Sequence, residues 1–162
     1  MNILPALAVF AICTALGLWK SSQLKKRVLL LSQLKQLTEE LSAAMRYTAP
    51  TLDELSDSCT GIFGELLEEA RKDTVDIKSA WEAAASALSE LSYAEKSEAE
   101  LMLRLSQRLG TCDTEGQLSM LSMYSEKLKK LSAEAEENAN SRGKLFRSVG
   151  TLLGAGAAIL II

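Results

Sequence analysis

The chain contains no histidine. That removes the side chain most often used as a general base and as a metal ligand near neutral pH. Aromatic residues make up only 5%, and the two prolines are Pro5 and Pro50. With so few breakers, and with Ala, Leu, Glu, Lys and Ser abundant, the composition favours helix over strand. Cysteine is scarce too: Cys13, Cys59 and Cys112, an odd number without a C-x-x-C spacing. A disulfide framework or a thiolate zinc site is not expected from such a set, and three reduced thiols are.

Acid is missing from both ends. Residues 1–38 hold five bases (Lys20, Lys25, Lys26, Arg27, Lys35) and no acid, and residues 138–162 hold three (Arg142, Lys144, Arg147) and no acid. All 21 acids and the other 10 bases lie between, so that region carries a net charge of −11. A basic collar adjoins each apolar end, and an acidic body separates them.

The apolar ends read as membrane spans. Ile3–Trp19, "ILPALAVFAICTALGLW", has no charge over 17 residues. As a helix it covers roughly 26 Å, close to a hydrocarbon core once Trp19 sits at the headgroups and Lys20 snorkels. A cleaved signal peptide fits poorly, because the positive cluster follows the apolar run instead of preceding it. Ser148–Ile162, "SVGTLLGAGAAILII", is the second span and barely long enough. Its Gly150-x-x-x-Gly154 and small face (Gly154, Gly156, Ala157, Ala158) permit close helix approach, with Ala8, Ala11 and Ala15 as the matching face. Lys and Arg beside membrane segments stay on the cytoplasmic side. The expected layout is therefore a transmembrane helix over 1–19, a cytoplasmic helical domain over 20–147 and a transmembrane helix over 148–162, with both termini outside. The collars would rest against anionic lipid headgroups.

Between the collars the apolar spacing is helical. Leu30, Leu34, Leu37, Leu41 and Ala44 form one seam. Pro50 disfavours helix at Ala49, and Thr51-x-x-Glu54 is a capping box that restarts one. The second body helix is predicted over Leu52–Arg71, with Gly61 and Gly64 either packing closely on a neighbour or kinking it. A third follows an N-cap among Asp73, Thr74 and Asp76 and runs Val75–Leu91, with Trp81 as core anchor. The fourth covers about Ala94–Leu109 and buries Leu101, Met102, Leu105 and Leu109. The fifth starts near Thr114 with a seam of Leu118, Leu121, Tyr124, Leu128, Leu131 and Ala135, and continues into the second span. The fold expected is all-α: a helical bundle on a long antiparallel helix pair, with a transmembrane helix at each end.

One stretch, Arg108–Gln117, "RLGTCDTEGQ", resembles a site because it crowds a thiol, a carboxylate, two threonines and two glycines. It lacks the lysine and preceding strand of a phosphate loop. Each residue has a local backbone task instead. Gly110 suits the left-handed position after a helix, Asp113 is a good N-cap, and Thr114-x-x-Gln117 offers another capping box. It reads as a stiff corner between helices. No catalytic pair, nucleotide loop or metal cluster is evident, and Glu39/Glu40, Glu68/Glu69 and Glu134/Glu136/Glu137 read as solvated faces. No cofactor, small-molecule substrate or nucleic-acid partner is expected.

An ordered set of segments is similar to the stage III sporulation protein AB family. It comprises the apolar N-terminal run, "MRYTAPTLDEL" (Met45–Leu55), Ala80-Trp81, "LGTCDTEGQ" (Leu109–Gln117) and "GKLFRSVGTLLGAGAAILII" to the end. Tyr47, Pro50, Trp81, Leu109, Gly110, Asp113 and Gln117 carry the match. The resemblance implies a non-enzymatic membrane component of the channel linking mother cell and forespore. It also implies similarity to the cytoplasmic helical domains of type II secretion and type IV pilus inner-membrane platform proteins, with a cytoplasmic secretion-type ATPase and other sporulation channel proteins as partners. The expected role is a platform coupling that ATPase to the membrane. Its candidate contacts are Glu65, Glu68, Glu69 and Asp73 together with Asp113 and Gln117, while Tyr47, Pro50, Trp81 and Gly110 are structural. The alternative is a helical-hairpin tether or pore former unrelated to sporulation. A membrane enzyme would need convergent polar side chains that the sequence does not offer.

Overall fold

A computed structural model describes residues 3–48 and 50–161, so the expected helix end at Ala49 lies outside the described residues. The chain is all-α. Helix α1 is Ile3–Tyr47, α2 Leu52–Asp57, α3 Gly61–Asp73, α4 Ile77–Ala87, α5 Lys96–Arg108 and α6 Thr114–Ile161, with a 3-10 turn at Leu88–Glu90. Two compact units share the two long helices: residues 1–28 with 133–162, and residues 29–132.

In the second unit the seam predicted for α1 is the core. Leu30, Leu31, Leu34, Leu37, Leu41 and Met45 are buried, facing a core that includes Leu121, Tyr124 and Leu128 of α6. Four short helices supply Leu55, Phe63, Leu67, Ala80, Trp81, Ala84, Met102 and Leu105. Trp81 is fully buried, with its ring 5.3 Å from that of Phe63 at 54°, so its expected anchor position is where the chain puts it. Its indole N–H has no hydrogen-bond partner; among the described residues no other buried side-chain polar atom lacks one.

The second body helix is not continuous. Leu52–Arg71 breaks after Asp57, and α3 opens at Gly61 with φ +72. That left-handed value favours glycine. Gly64 then packs on the turn it has just left, where a Cβ would sit 2.5 Å from the Cys59 carbonyl oxygen. Gly61 serves both roles open to these glycines: it marks the break, and its Cβ would sit 3.0 Å from the Gln33 side chain of α1. Thr60, the N-cap of α3, makes no side-chain cap bond. Gln33 of α1 does this instead, its Oε1 accepting from Ile62 N at 3.1 Å, so an orphan amide of α3 is satisfied across the core. The starts of α2 and α4 follow their sequence marks. Thr51 and Glu54 form the capping box of α2, and Asp76 Oδ2 accepts from both Ser79 N (3.0 Å) and Ser79 Oγ (2.7 Å) at α4.

In the first unit α1 and α6 run antiparallel and touch through small residues. A Cβ on Gly17 would lie 2.6 Å from the Phe146 carbonyl oxygen, and one on Gly150 3.2 Å from the Gly17 Cα. Gly154 meets Phe10 in the same way at 3.0 Å. The Gly150-x-x-x-Gly154 pair thus faces α1 as expected, but its counterpart is Phe10, Cys13 and Gly17. Ala8, Ala11 and Ala15 are exposed, as is Gly156, because the seam that continues from Leu30 and Leu34 back through Ser21 passes through Gly17 instead. The side chain of Ala158 lies outside the described residues. Next along, Ser21 is buried and its Oγ accepts from Arg147 Nε at 3.0 Å. Among the described residues one helix, α1 over Leu7–Tyr47, is long and apolar enough to cross a membrane.

Candidate functional site

Helix α3 carries the predicted acidic contacts on its outward side. Phe63 and Leu67 are buried, and Glu65, Glu68, Glu69 and Asp73 recur on the opposite, exposed face. The bases of the last turn are occupied by neighbours. Lys72 Nζ lies 2.6 Å from Glu69, and Arg71 Nη1 reaches Asp57 at 2.5 Å and Ser56 Oγ at 3.2 Å. Those carboxylates raise the pKa of both bases, chiefly through the hydrogen bonds from Arg71 to Asp57 and from Lys72 to Glu69. Exposed pairs of this kind add little stability. The Arg71 pair instead ties α2 to α3 beside the break.

Glu65 and Glu68 border an open groove of about 420 Å³ with Ser56, Asp57, Cys59 and Arg71. Cys59 is half-buried, and its Sγ lies 3.3 Å from the Leu55 carbonyl oxygen. Burial first, then the charges of Glu40 and Asp57, push the thiol up to about 12. The thiolate is the nucleophile, and burial beside two carboxylates disfavours it at Cys59. Among the described residues no three His, Cys, Asp or Glu side chains come together in a way that could hold a metal ion.

The other two predicted contacts sit apart, at the corner between α5 and α6. Asp113 Oδ1 accepts from Gly116 N at 3.3 Å, the N-cap geometry expected. Gln117 does not close a capping box with Thr114. Its Nε2 donates to the Cys112 carbonyl at 2.8 Å and its Oε1 accepts from Gly110 N at 3.3 Å, so it clamps the whole loop. Gly110 has φ +75, the left-handed value that suits a glycine past a helix end. The grooves at α3 and at this corner share no lining residue among the described ones. The two sets of predicted contacts thus border different grooves. Pro50 is half-buried in the α1–α2 connection. Tyr47, expected to be structural, is 87% exposed on the last turn of α1 and takes no part in the core. It adjoins a groove with Glu39, Arg46, Ser122 and Glu126.

Two features escaped the sequence reading. Val75, expected as the first residue of the third body helix, is fully exposed in a bend, because Asp76 is the cap and α4 starts at Ile77. Glu98 is fully buried, and its Oε2 accepts from Glu95 N at 2.6 Å to cap α5. The spacing Glu95-x-x-Glu98 carries that information only if glutamate is admitted as an N-cap residue.

No curated protein and no solved structure matches the chain. A family does: residues 2–162 match Stage III sporulation protein AB, and the chain belongs to that family.

Proposed function

We propose that the protein is a non-enzymatic, two-span platform of the channel between mother cell and forespore. Its 20–147 region would lie in the cytoplasm, where it couples a secretion-type ATPase to the membrane apparatus. Family membership supports the sporulation setting. The observation that carries the membrane placement is the arrangement of the α1–α6 hairpin. Leu7, Ile12, Leu16 and Leu18 of α1, with Leu152, Leu153 and Ile159 of α6, are each more than half exposed, while the helix contact is made by glycine and serine with Phe10 and Cys13. Contiguous apolar surface of that extent is unfavourable in water and expected in lipid.

The antiparallel register supports the second span, which sequence length alone left marginal. Ser21 bonds Arg147 and Gly17 touches Phe146, so the charge-free part of α6 begins level with that of α1. A pore is disfavoured because the span hydroxyls are satisfied within their own helices. Thr14 Oγ1 donates to Phe10 O at 2.9 Å, and Thr151 Oγ1 lies within bonding distance of Arg147 O and Ser148 O.

Docking of the ATPase is assigned to the exposed acids of α3, since complementary charge steers association. The test is pull-down of the ATPase from sporulating cells by the wild-type chain and by a chain carrying Glu65→Lys, Glu68→Lys and Glu69→Lys. Loss of the ATPase with retained membrane fractionation is expected. Undiminished recovery overturns this docking face, and absence of the ATPase from the wild-type pull-down overturns the platform reading.

A further inference from the structure

We infer that the α1–α6 hairpin holds the headgroup of an anionic phospholipid in a groove between its two basic collars. This rests on the membrane reading above and gives the collar a defined ligand. The groove, about 310 Å³, lies within the first unit and is lined by Lys25, Glu136, Ala139, Asn140, Lys144 and Arg147. Three bases against one acid leave it positive.

Its position along the hairpin is set by the register already described. At about 1.5 Å per residue, Lys144 stands ~6 Å from the charge-free part of α6 and Lys25 ~9 Å from Trp19. Headgroups occupy ~5–7 Å on each side of the hydrocarbon core. Arg147 and Lys144 are thus at phosphate depth, and Lys25 is at the outer edge of the headgroup layer. Asn140 follows on the aqueous side, ~12 Å from the charge-free part of α6, where its amide offers hydrogen bonds to hydroxyls beyond the phosphate; Glu136, at ~18 Å, stands outside the headgroup layer. That order, bases at the membrane side and an amide beyond them, fits a glycerol-bearing phosphate headgroup better than choline, whose distal end has no donor.

Arg147 is pre-positioned. Its Nε is held by Ser21 Oγ at 3.0 Å, and Ser21 is itself buried against Gly143. A guanidinium has five N–H donors in a rigid fork, so fixing Nε fixes the direction of the other four. Phosphate is the group this fork matches. Lys20 and Arg142 belong to the same collars but do not line the groove.

The experiment uses the full chain in nanodiscs of phosphatidylcholine doped with phosphatidylglycerol, with native mass spectrometry counting retained lipid. Wild type should retain phosphatidylglycerol selectively. Replacing Lys25→Gln with Lys144→Gln should weaken retention about thirtyfold, through loss of two charge-assisted hydrogen bonds to the phosphate. Lys20→Gln with Arg142→Gln removes the same charge and should weaken it less than threefold. Equal losses from both pairs would mean a diffuse collar and overturn the groove. Inorganic phosphate is the second probe, in nanodiscs of phosphatidylcholine alone. If it binds wild type and is lost in the Lys25/Lys144 pair, the ligand is a soluble phosphate and the lipid assignment fails. Failure of the chain to enter nanodiscs at all would overturn the membrane reading, a result distinct from incorporation without selectivity.

Discussion

The two compact units bury opposite kinds of residue. In residues 29–132 the interior is Leu, Phe, Trp and Met, and the acids lie outside. In the α1–α6 hairpin of the first unit, glycine, serine and an arginine–serine bond lie inside, and Leu and Ile lie outside. The proposed membrane placement accounts for the difference. In water, burial of large side chains drives packing, at roughly 25 cal/mol per Å² of apolar area. In lipid that drive is absent, and helices associate through close backbone approach and polar contacts. On that placement, two stretches of α1 obey different rules on either side of residue 28.

The largest expected effect is on the water-facing unit. Trp81→Ala removes its most voluminous fully buried side chain and should cost about 3–5 kcal/mol. Hydrogen exchange measured segment by segment should show lost protection in α3, α4 and α5. Equal loss in residues 7–25 would contradict the division into two units. Next, Leu152→Arg places a charge on the outer face of the hairpin. In lipid it should cost about 2.5–3.5 kcal/mol, whereas at an ordinary aqueous surface the change stays within about 0.5 kcal/mol. Resistance of the protein to carbonate extraction reads the difference. A variant extracted no more readily than wild type would place that face in water.

Gly17→Leu tests the interior of the hairpin. Overpacking at this contact should cost about 1–3 kcal/mol, since the new side chain meets the Phe146 backbone, which cannot swing aside as a side-chain tip could. Faster exchange of amides near Gly17 and Gly150, with α3–α5 unchanged, is the expected pattern. A smaller effect belongs to the corner between α5 and α6: Asp113→Ala should lose about 1 kcal/mol of helix-cap stability without affecting the core, readable as a lowered Tm. An unchanged Tm would mean that the Gln117 clamp alone holds the loop.

Much of this was legible from periodicity. The α1 and α6 seams, Trp81, the capping box at Thr51 and Glu54, Gly110 and the Asp113 cap all lie where local chemistry puts them. The misses share a cause. The break at Ser58–Thr60 depends on Gln33, 29 residues away, which supplies the cap that lets α3 start afresh. The rotation of the hairpin that selects Gly17 over Ala15 is set by continuity with the buried seam farther along α1, not by the span itself. For the surfaces, sequence could mark acids as exposed. It could not show that α3 and the α5–α6 corner border different grooves, because nothing local relates residue 65 to residue 113.

The smallest effect concerns the thiols, and it separates a residue shielded within the water-facing unit from one on its surface. Cys59 is pushed up to about 12 by burial and by Glu40 and Asp57, while Cys112 is exposed at the corner. Alkylation proceeds through the thiolate. At pH 8.5, with the full chain in detergent, iodoacetamide should label Cys112 fully before Cys59 reacts to any extent, as peptide mass spectrometry would report. The same raised value has a consequence for stability. From pH 9 to 12 the unfolded chain has lost this proton and the folded chain keeps it, so the unfolded state binds fewer protons and stability falls as pH rises. Below pH 9 both states hold the proton and the contribution is constant. Cys59→Ser should therefore flatten the alkaline side of the stability profile and leave the neutral region's slope unchanged. Prompt labelling of Cys59 at pH 8.5 would show that α2 and α3 open readily at the Ser58–Thr60 break, and that the water-facing unit is less tightly closed there than its core implies.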